Sequence, residues 1–260
     1  MVNKKIYFIS DLHLGLYPRE NSLEREKKIV QWFEEIKDDV SELYLLGDIF
    51  DFWHEHKRVV PKGFTRFMGT LALIADKGVK IHFFSGNHDV WMHGYFKEEI
   101  GAEIHHNHLK VTHGDKKFYL AHGDGLGPGD TSFKILRWAF HNSFLQWMFA
   151  RIHPNLSMWL GTTWSKKSRY AKGIVAEEFA GIDKENTVIH SRDVLKHEYF
   201  DYFIYGHRHI PSVITLEKGS KYVNLGDWIY SFTYAVFDGE KLELKEYQGN
   251  GDKILRLSVE

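Results

Sequence analysis

The chain has 260 residues, no cysteine and a formal net charge of −1. This length suits one substantial α/β domain with an insertion, and the neutral balance excludes a global basic field for nucleic acid. Without cysteine the chain has neither a disulfide framework nor a thiolate-rich zinc site, and it fits a reducing compartment. The first residues, MVNKKIYFIS, predict a strand with no signal peptide or membrane-spanning helix before it, so we expect a cytoplasmic protein.

Apolar, β-branched and aromatic runs predict a series of strands along the chain. They fall at 4–10, 42–46, 79–85, 103–106, 109–112, 117–121, 201–205, 212–216, 221–225, 232–237 and 241–247. Helical patterns fill 22–38, 62–77, 133–149, 171–181 and 185–199. Helices between the early strands and hairpins between the later ones predict an α/β fold, a mixed β-sheet sandwich flanked by helices.

Five short motifs follow directly on predicted strands, and each supplies side chains that bind metals. They are Asp11-Leu-His13, Gly47-Asp48, Gly86-Asn87-His88-Asp89, His122-Gly-Asp124 and Gly206-His207-Arg-His209. Each motif alone is common in turns and helix caps. Their order, each after a strand, predicts that the fold gathers them into one metal site at the strand ends.

The types of side chain indicate which ions the site takes. Two divalent ions need a bridging carboxylate, and Asp48 is the natural bridge. Asp11 and His13 are two residues apart on an extended chain and can hold one ion together, while His207 and His209 could give one imidazole to each ion. Asn87 offers an amide oxygen and His122 another imidazole. This mixed set favours Mn²⁺, with Fe²⁺ or Zn²⁺ as alternatives.

The order of these motifs resembles that of the calcineurin-like metallophosphoesterases over most of the chain. The resemblance implies that one metal takes Asp11, His13, Asp48 and His209, and that the other takes Asp48, Asn87, His122 and His207. It also implies that His88 stays off the metals and assists the leaving group, with Asp89 orienting its imidazole.

Residues 125–173 differ in composition from the rest of the chain. They hold nine aromatic side chains among charged residues that are nearly all basic. The pattern over 133–149 is helical with apolar residues on more than one face, which would also suit a buried core helix. Because the segment interrupts the metal motifs, we interpret 125–175 as a lid for a substrate with an acyl chain beside a phosphate, and 1–124 with 176–260 as the metallophosphoesterase core.

The lid narrows the resemblance to the UDP-2,3-diacylglucosamine diphosphatases of lipid A synthesis. Local similarities are Gly47-Asp-Ile-Phe-Asp-Phe-Trp53, Asp130 after the His122 motif, Ser165-Lys-Lys-Ser-Arg169 and Asn224-Leu-Gly-Asp-Trp228. The similarity implies hydrolysis to UMP and 2,3-diacylglucosamine 1-phosphate. The side chains it offers for the substrate are Asp130, Ser165, Lys166, Lys167 and Arg169, joined by the lid aromatics Phe144 and Trp147. The chain departs from that family at one motif. The family commonly has Gly-Asn-Arg-Asp, whereas this chain has Gly86-Asn87-His88-Asp89, and this difference bears on the identity of the substrate.

The expected partners follow from this resemblance. They are a lipid-linked sugar nucleotide and, through the lid, the cytoplasmic face of the inner membrane, with no nucleic acid and no obligate protein partner. Two alternatives are a soluble phosphodiesterase or phosphatase acting on nucleotides or phosphoproteins, and a metal-free interaction scaffold on the same fold. A further histidine cluster, His105-His106-Asn-His108, lies between two short strands, and we interpret it as a solvated hairpin.

Overall fold

The computed structural model describes residues 4–128, 131–172, 179, 181–249 and 251–255. The strands in this part of the chain are β1 Lys5–Ile9, β2 Val40–Leu46, β3 Lys80–Phe84, β4 Glu103–His105, β5 Leu109–His113, β6 Lys116–Leu120, β7 Tyr202–Tyr205, β8 Ser212–Thr215, β9 Lys221–Asn224, β10 Thr233–Phe237, β11 Leu242–Glu246 and β12 Lys253–Ile254. The α-helices are α1 Arg19–Ile36, α2 Thr65–Asp76, α3 Tyr95–Ile100, α4 Thr131–His141, α5 Ser143–Phe149, α6 Pro154–Lys172 and α7 Asn186–Leu195.

The strands form two sheets. One has seven strands in the order β12-β11-β10-β1-β2-β3-β4, and the other has five in the order β5-β6-β7-β9-β8. Strands β1 to β4 run parallel to one another, and β6 runs parallel to β7. The carboxyl ends of these strands therefore lie at one edge of each sheet, which is where the predicted metal ligands follow.

Three apolar clusters separate four layers. Ile29 and Trp32 of α1 pack with Phe67 of α2 against one face of the seven-stranded sheet. The other face of that sheet packs against the five-stranded sheet through side chains such as Phe8 and Phe118. Helix α7 covers the outer face of the five-stranded sheet. The mixed sandwich flanked by helices that the sequence predicts is confirmed.

The predicted strands and most of the predicted helices agree with the structure, with three differences. The predicted helix over 133–149 is two helices, because the Asn142 side chain accepts hydrogen bonds from the amides of Phe144 and Leu145 and starts a new helix. Helices α3 and α6 and strand β12 were not predicted. The helix predicted at 171–181 falls mostly outside the described residues.

Helices α4 to α6 lie between β6 and α7, in the segment that the sequence assigns to the lid. They rest on the loop after β2 and on the loop after β3. Trp91 donates a hydrogen bond from Nε1 to the Phe140 carbonyl at 2.9 Å, and its ring packs 4.5 Å from Phe149. The division of the chain into a core and a lid domain stays a prediction. No helix in the described ranges is both long and apolar enough to cross a bilayer.

Candidate metal centre and active site

The predicted ligands converge where parallel strands end. Asp11 follows β1, Asp48 follows β2 and Asn87 follows β3, while His122 and His207 follow β6 and β7 of the other sheet. Backbone hydrogen bonds fix these ends together, among them Asp11 N to Gly47 O at 3.0 Å. The site thus lies at the rim where the two sheets meet.

The backbone at the site is held in an uncommon conformation. Five of the eight described non-glycine residues with positive φ are predicted ligands: Asp11, His13, Asp48, His207 and His209. Side chains disfavour this region of φ, and such strain persists where the surrounding structure enforces it, often at functional sites. Tight turns of this kind aim successive side chains into one space.

Glycines allow the carboxylates to come close to neighbouring backbone. A Cβ at Gly86 would overlap the carboxylate of Asp48, and a Cβ at Gly206 would overlap that of Asp11. The backbone amide of His88 donates to Asp48 Oδ1 at 2.9 Å, and that of His207 donates to Asp11 Oδ2 at 2.9 Å. One oxygen of each carboxylate is thereby fixed by the backbone, and its other oxygen faces the site.

The first group of ligands is Asp11, His13 and His209. Their atoms lie within 4.8 Å of one another, with 3.2 Å between the two Nε2 atoms and 3.2 Å between His209 Nε2 and Asp11 Oδ1. Asp11 and His13 are almost completely buried. This is the first set that the sequence resemblance implies, apart from the shared Asp48.

The second group is Asp48, His122 and His207, joined by Asn87. His122 Nε2 lies 3.4 Å from Asp48 Oδ2 and 3.3 Å from Asn87 Oδ1. The same Oδ2 atom of Asp48 lies 3.8 Å from His13 Nε2 of the first group. One carboxylate oxygen therefore faces both groups, as expected of a bridging ligand.

The donor set fits divalent cations. Oδ1 of Asp11 is enclosed and has no hydrogen-bond partner of good geometry among the described residues, yet it points at two imidazole Nε2 atoms. These imidazole nitrogen and carboxylate oxygen atoms are 3.2–3.7 Å apart, which matches the spacing of ligands around one ion. Nitrogen and oxygen donors together suit Mn²⁺, Fe²⁺ or Zn²⁺.

The pKa shifts of the candidate ligands also suit the binding of divalent cations. Burial opposes ionisation of Asp48, but the His122 and His88 imidazoles hold its pKa well below the ordinary value. Burial and the nearby His122 lower the pKa of His207 to about 4, so its ring is neutral at pH 7. In His122, the Asp48 carboxylate outweighs the effect of burial and raises the pKa well above the usual value.

A second layer of groups orients the ligands. Asp51 Oδ1 lies 3.7 Å from His13 Nδ1, Asp227 Oδ2 lies 3.8 Å from His209 Nδ1, and the Leu46 carbonyl lies 2.8 Å from His122 Nδ1. Each of these contacts leaves the Nε2 atom turned towards the site. Metal-binding imidazoles are commonly oriented in this way. Neither Asp51 nor Asp227 was predicted as a functional residue, although both occur in stretches that carry the family resemblance.

His88 lies beside the metal groups in a different environment. Its Nδ1 is 3.0 Å from the carbonyl oxygen of Asp51 and 3.3 Å from Ser165 Oγ, which in turn donates to Asp51 Oδ2 at 2.9 Å. We assign the proton on Nδ1, because a carbonyl oxygen can only accept. The other ring nitrogen, Nε2, is then the one that can exchange a proton with a substrate.

Two residues have contacts that differ from those expected. The Asp89 carboxylate accepts hydrogen bonds from the amides of Gly86, Asp48, Ile49 and Phe50, so it braces the turn after β2 instead of contacting the His88 ring. Ser165 was expected to contact the substrate, but its side chain is fully buried and its hydroxyl contacts Asp51 and His88.

The other predicted lid residues lie at the surface or outside the described part. Phe144 and Trp147 are 63% and 54% exposed, and their rings stack 6.1 Å apart. Lys166 is exposed, with Nζ 4.5 Å from the Tyr17 ring centroid. Asp130 and the side chains of Lys167 and Arg169 lie outside the described residues. Contact of these lid residues with a substrate stays a prediction.

This fold and the two facing ligand groups define the class of metal-dependent hydrolases with a two-metal site. Residues 4–211 match the family model described as calcineurin-like phosphoesterase, and the chain belongs to this family. Membership makes the protein a hydrolase.

Curated relatives are similar over nearly their whole length. A protein of Porphyromonas gingivalis named UDP-2,3-diacylglucosamine hydrolase is 34% identical over 95% of this chain and 99% of its own. Proteins with the same name from Haemophilus influenzae and Vibrio vulnificus are each 28% identical, over 86% and 92% of this chain and 91% and 97% of their own.

Proposed function

We propose that the protein hydrolyses the pyrophosphate of UDP-2,3-diacylglucosamine, giving UMP and 2,3-diacylglucosamine 1-phosphate. The names of its relatives support this substrate, and they are similar along both the core and the lid. The observation that carries the proposal is the apolar surface that begins at the site. Trp164 lies 6.3 Å from the His88 ring, measured between ring centroids, and remains 36% exposed.

That apolar surface extends over residues 135–164 of the lid. Sixteen large hydrophobic side chains are exposed among the described residues, and ten of them lie within 135–164. Surfaces of this kind on a soluble domain mark a binding face. A substrate with two acyl chains beside a diphosphate requires an apolar face of this size next to a phosphate site. A soluble nucleotide or a phosphoprotein does not.

Cations accompany the aromatic side chains. Arg151 lies over the Trp147 ring at 4.7 Å, and Arg137 donates from Nη1 to Asp124 Oδ2 at 2.8 Å beside the His122 motif. Basic side chains next to exposed aromatics suit the boundary of a membrane with anionic head groups. The lid therefore also supports binding to a membrane surface, from which the substrate would enter the site.

The residues divide the chemistry between them. Two divalent ions, which we propose to be Mn²⁺, would when bound supply a nucleophile from water near neutral pH and neutralise charge on the phosphoryl oxygens. Asp11, His13, Asp48 and His209 would hold one ion, and Asp48, Asn87, His122 and His207 the other. The fixed carboxylates and oriented imidazoles would keep the geometry of both metal sites constant while negative charge develops on the phosphoryl group.

His88 serves the leaving group. Its Nδ1 donates to the Asp51 carbonyl, which fixes the ring and leaves Nε2 to give a proton or hydrogen bond to the departing sugar phosphate. Ser165 couples this arrangement to the lid, because its hydroxyl joins helix α6 to both Asp51 and His88. The seating of α6 thus positions the catalytic imidazole.

Purified protein with Mn²⁺ and UDP-2,3-diacylglucosamine, followed by mass analysis of the products, tests the proposal. UMP and the diacylated sugar phosphate are the expected products. Turnover of bis(p-nitrophenyl) phosphate without turnover of the lipid would favour a soluble phosphodiesterase. Turnover of neither, in protein that binds no metal, would favour a scaffold.

A further inference from the structure

A second group of histidine and carboxylate side chains lies outside the catalytic site. We define the His82 cluster as His82 of β3 with Glu103 and His105 of β4, and its three candidate ligand atoms lie within 4.8 Å of one another. The local sequence around His105 suggests only a solvated hairpin. His106 and His108 are indeed exposed, but the pairing of β3 with β4 brings His105 to His82.

The three atoms form a compact triangle. His82 Nδ1 lies 3.2 Å from His105 Nε2 and 3.5 Å from Glu103 Oε2, and the last two atoms are 3.9 Å apart. Ligands around a tetrahedral zinc ion with bonds of about 2.0–2.2 Å are about 3.3–3.6 Å from one another. The triangle therefore has the size of one face of a zinc coordination shell.

Neighbouring groups hold His82 in place for this role. Its ring stacks on Tyr44 with centroids 4.3 Å apart and planes 4° from parallel. Its Nε2 is buried, has no hydrogen-bond partner of good geometry within the part of the chain that the structure describes, and faces Glu42 Oε2 at 3.6 Å. A carboxylate behind a metal-binding imidazole is a common second-layer arrangement. Nδ1 is then the nitrogen turned towards His105 and Glu103.

We infer that the His82 cluster is a further metal site, which takes one Zn²⁺ ion through His82 Nδ1, His105 Nε2 and Glu103. Two imidazoles and one carboxylate are a zinc donor set, and they favour Zn²⁺ over Mg²⁺ or Ca²⁺. The Glu103 side chain is 65% exposed, so one side of the triangle opens to solvent and can supply water as the fourth ligand.

The ion would fasten the edge of the seven-stranded sheet. Strand β4 has only three residues, and within the described ranges it pairs with β3 alone. The amide of Ser85 donates to the His105 carbonyl at 3.0 Å, directly before Gly86 and the catalytic loop. A zinc ion across β3 and β4 would join these strands through side chains as well, and binding to the folded state alone would raise the melting temperature.

Zinc counts from native mass spectrometry on metal-stripped protein titrated with Zn²⁺ test the inference. His105→Gln should bind one ion fewer per chain than wild type, and His106→Gln, one residue further along, should match wild type. The catalytic ligands are the same in all three proteins, so their zinc ions cancel in the comparison. Both variants should keep wild-type Mn²⁺-dependent turnover of bis(p-nitrophenyl) phosphate, because neither residue belongs to the two candidate ligand groups of the active site.

Glu103→Gln separates loss of a ligand from loss of fold, because its side chain is largely exposed. It should weaken the same zinc ion by at least about tenfold, since even second-layer changes cost that much. Zinc should also raise the melting temperature of wild type more than that of either ligand variant. An unchanged zinc count in His105→Gln would mean that the two imidazoles only share a hydrogen bond. An unchanged affinity in Glu103→Gln would overturn the three-ligand site, because Glu103 would then not be a ligand.

Discussion

Removing the paired aromatic rings of Phe144 and Trp147 should impair hydrolysis of the lipid substrate selectively. Both rings lie on α5, stack on each other and are more than half exposed. They contribute little to packing within the protein, so a double change to Ala should fold normally. If acyl chains cover these rings during turnover, the loss should appear as weaker binding of the diacylated substrate.

The exposed fractions set the size of the effect. Burying a large apolar side chain completely stabilises by about 1.5–3 kcal/mol. Since a little over half of each ring is free to be covered, each contributes about 1 kcal/mol. The double variant should lose about 2 kcal/mol, which corresponds to about 30-fold in KM for the diacylated sugar nucleotide.

Steady-state kinetics on two substrates measure this directly. The rate on bis(p-nitrophenyl) phosphate should stay within a few-fold of wild type, because this diester has no acyl chain. Leu73→Ala is the matched control, since Leu73 is also 63% exposed but lies on α2 outside the lid. An equal loss on both substrates with a lower melting temperature would refute the lid interpretation, because the two rings would then stabilise the fold and not bind acyl chains.

Three further predictions concern the metal groups and the seating of the lid. Asp48→Ala should abolish activity and metal binding together. His88→Ala should instead keep both metals, as measured by elemental analysis, and lower turnover about 10²–10⁴-fold. Loss of the metals in His88→Ala would contradict this division of roles. Gly161→Ala should lower the free energy of unfolding in urea by about 1–3 kcal/mol and slow the hydrolysis of both substrates, because a Cβ there would overlap the Phe52 ring under α6. Gly69→Ala is the control, since a Cβ there would have nothing within 4 Å and should not destabilise the protein. Equal stability of the two variants would show that α6 does not pack on Phe52. Because the Asp48 carboxylate raises the pKa of His122, the metal-free ring holds its proton more strongly than an ordinary imidazole, and this proton competes with metal binding. Metal affinity should therefore rise with pH. Calorimetry in buffers of different ionisation enthalpy should detect a released proton, and no release would contradict the assignment.

The convergence of the candidate metal ligands could be predicted because their signals are local. Each follows a strand with a clear apolar pattern, and parallel strands bring their carboxyl ends to one edge. A bridging role for Asp48 was expected from chemistry, since a carboxylate has two oxygens. The structure adds that a single one of them faces both His13 and His122.

The supporting contacts could not be predicted because they depend on how distant segments meet. Asp51 orients the imidazole of His13, and Asp227 orients that of His209, and in each pair the two residues lie on different loops. Ser165 turns inward because α6 seats against the loop after β2, and no pattern in the basic stretch around it shows which side chain faces the core. His82 and His105 are 23 residues apart and meet only through the register of two parallel strands.

Hydrolysis of UDP-2,3-diacylglucosamine in ¹⁸O-labelled water tests the central claim most directly. Attack of water on the α-phosphorus forms a new P–O bond in UMP, while the oxygen that joined the two phosphorus atoms leaves with the sugar phosphate. Mass spectrometry should therefore find one ¹⁸O atom in UMP and none in 2,3-diacylglucosamine 1-phosphate, with Mn²⁺ required. Label in the sugar phosphate, or no cleavage by metal-loaded protein that still hydrolyses bis(p-nitrophenyl) phosphate, would contradict the account.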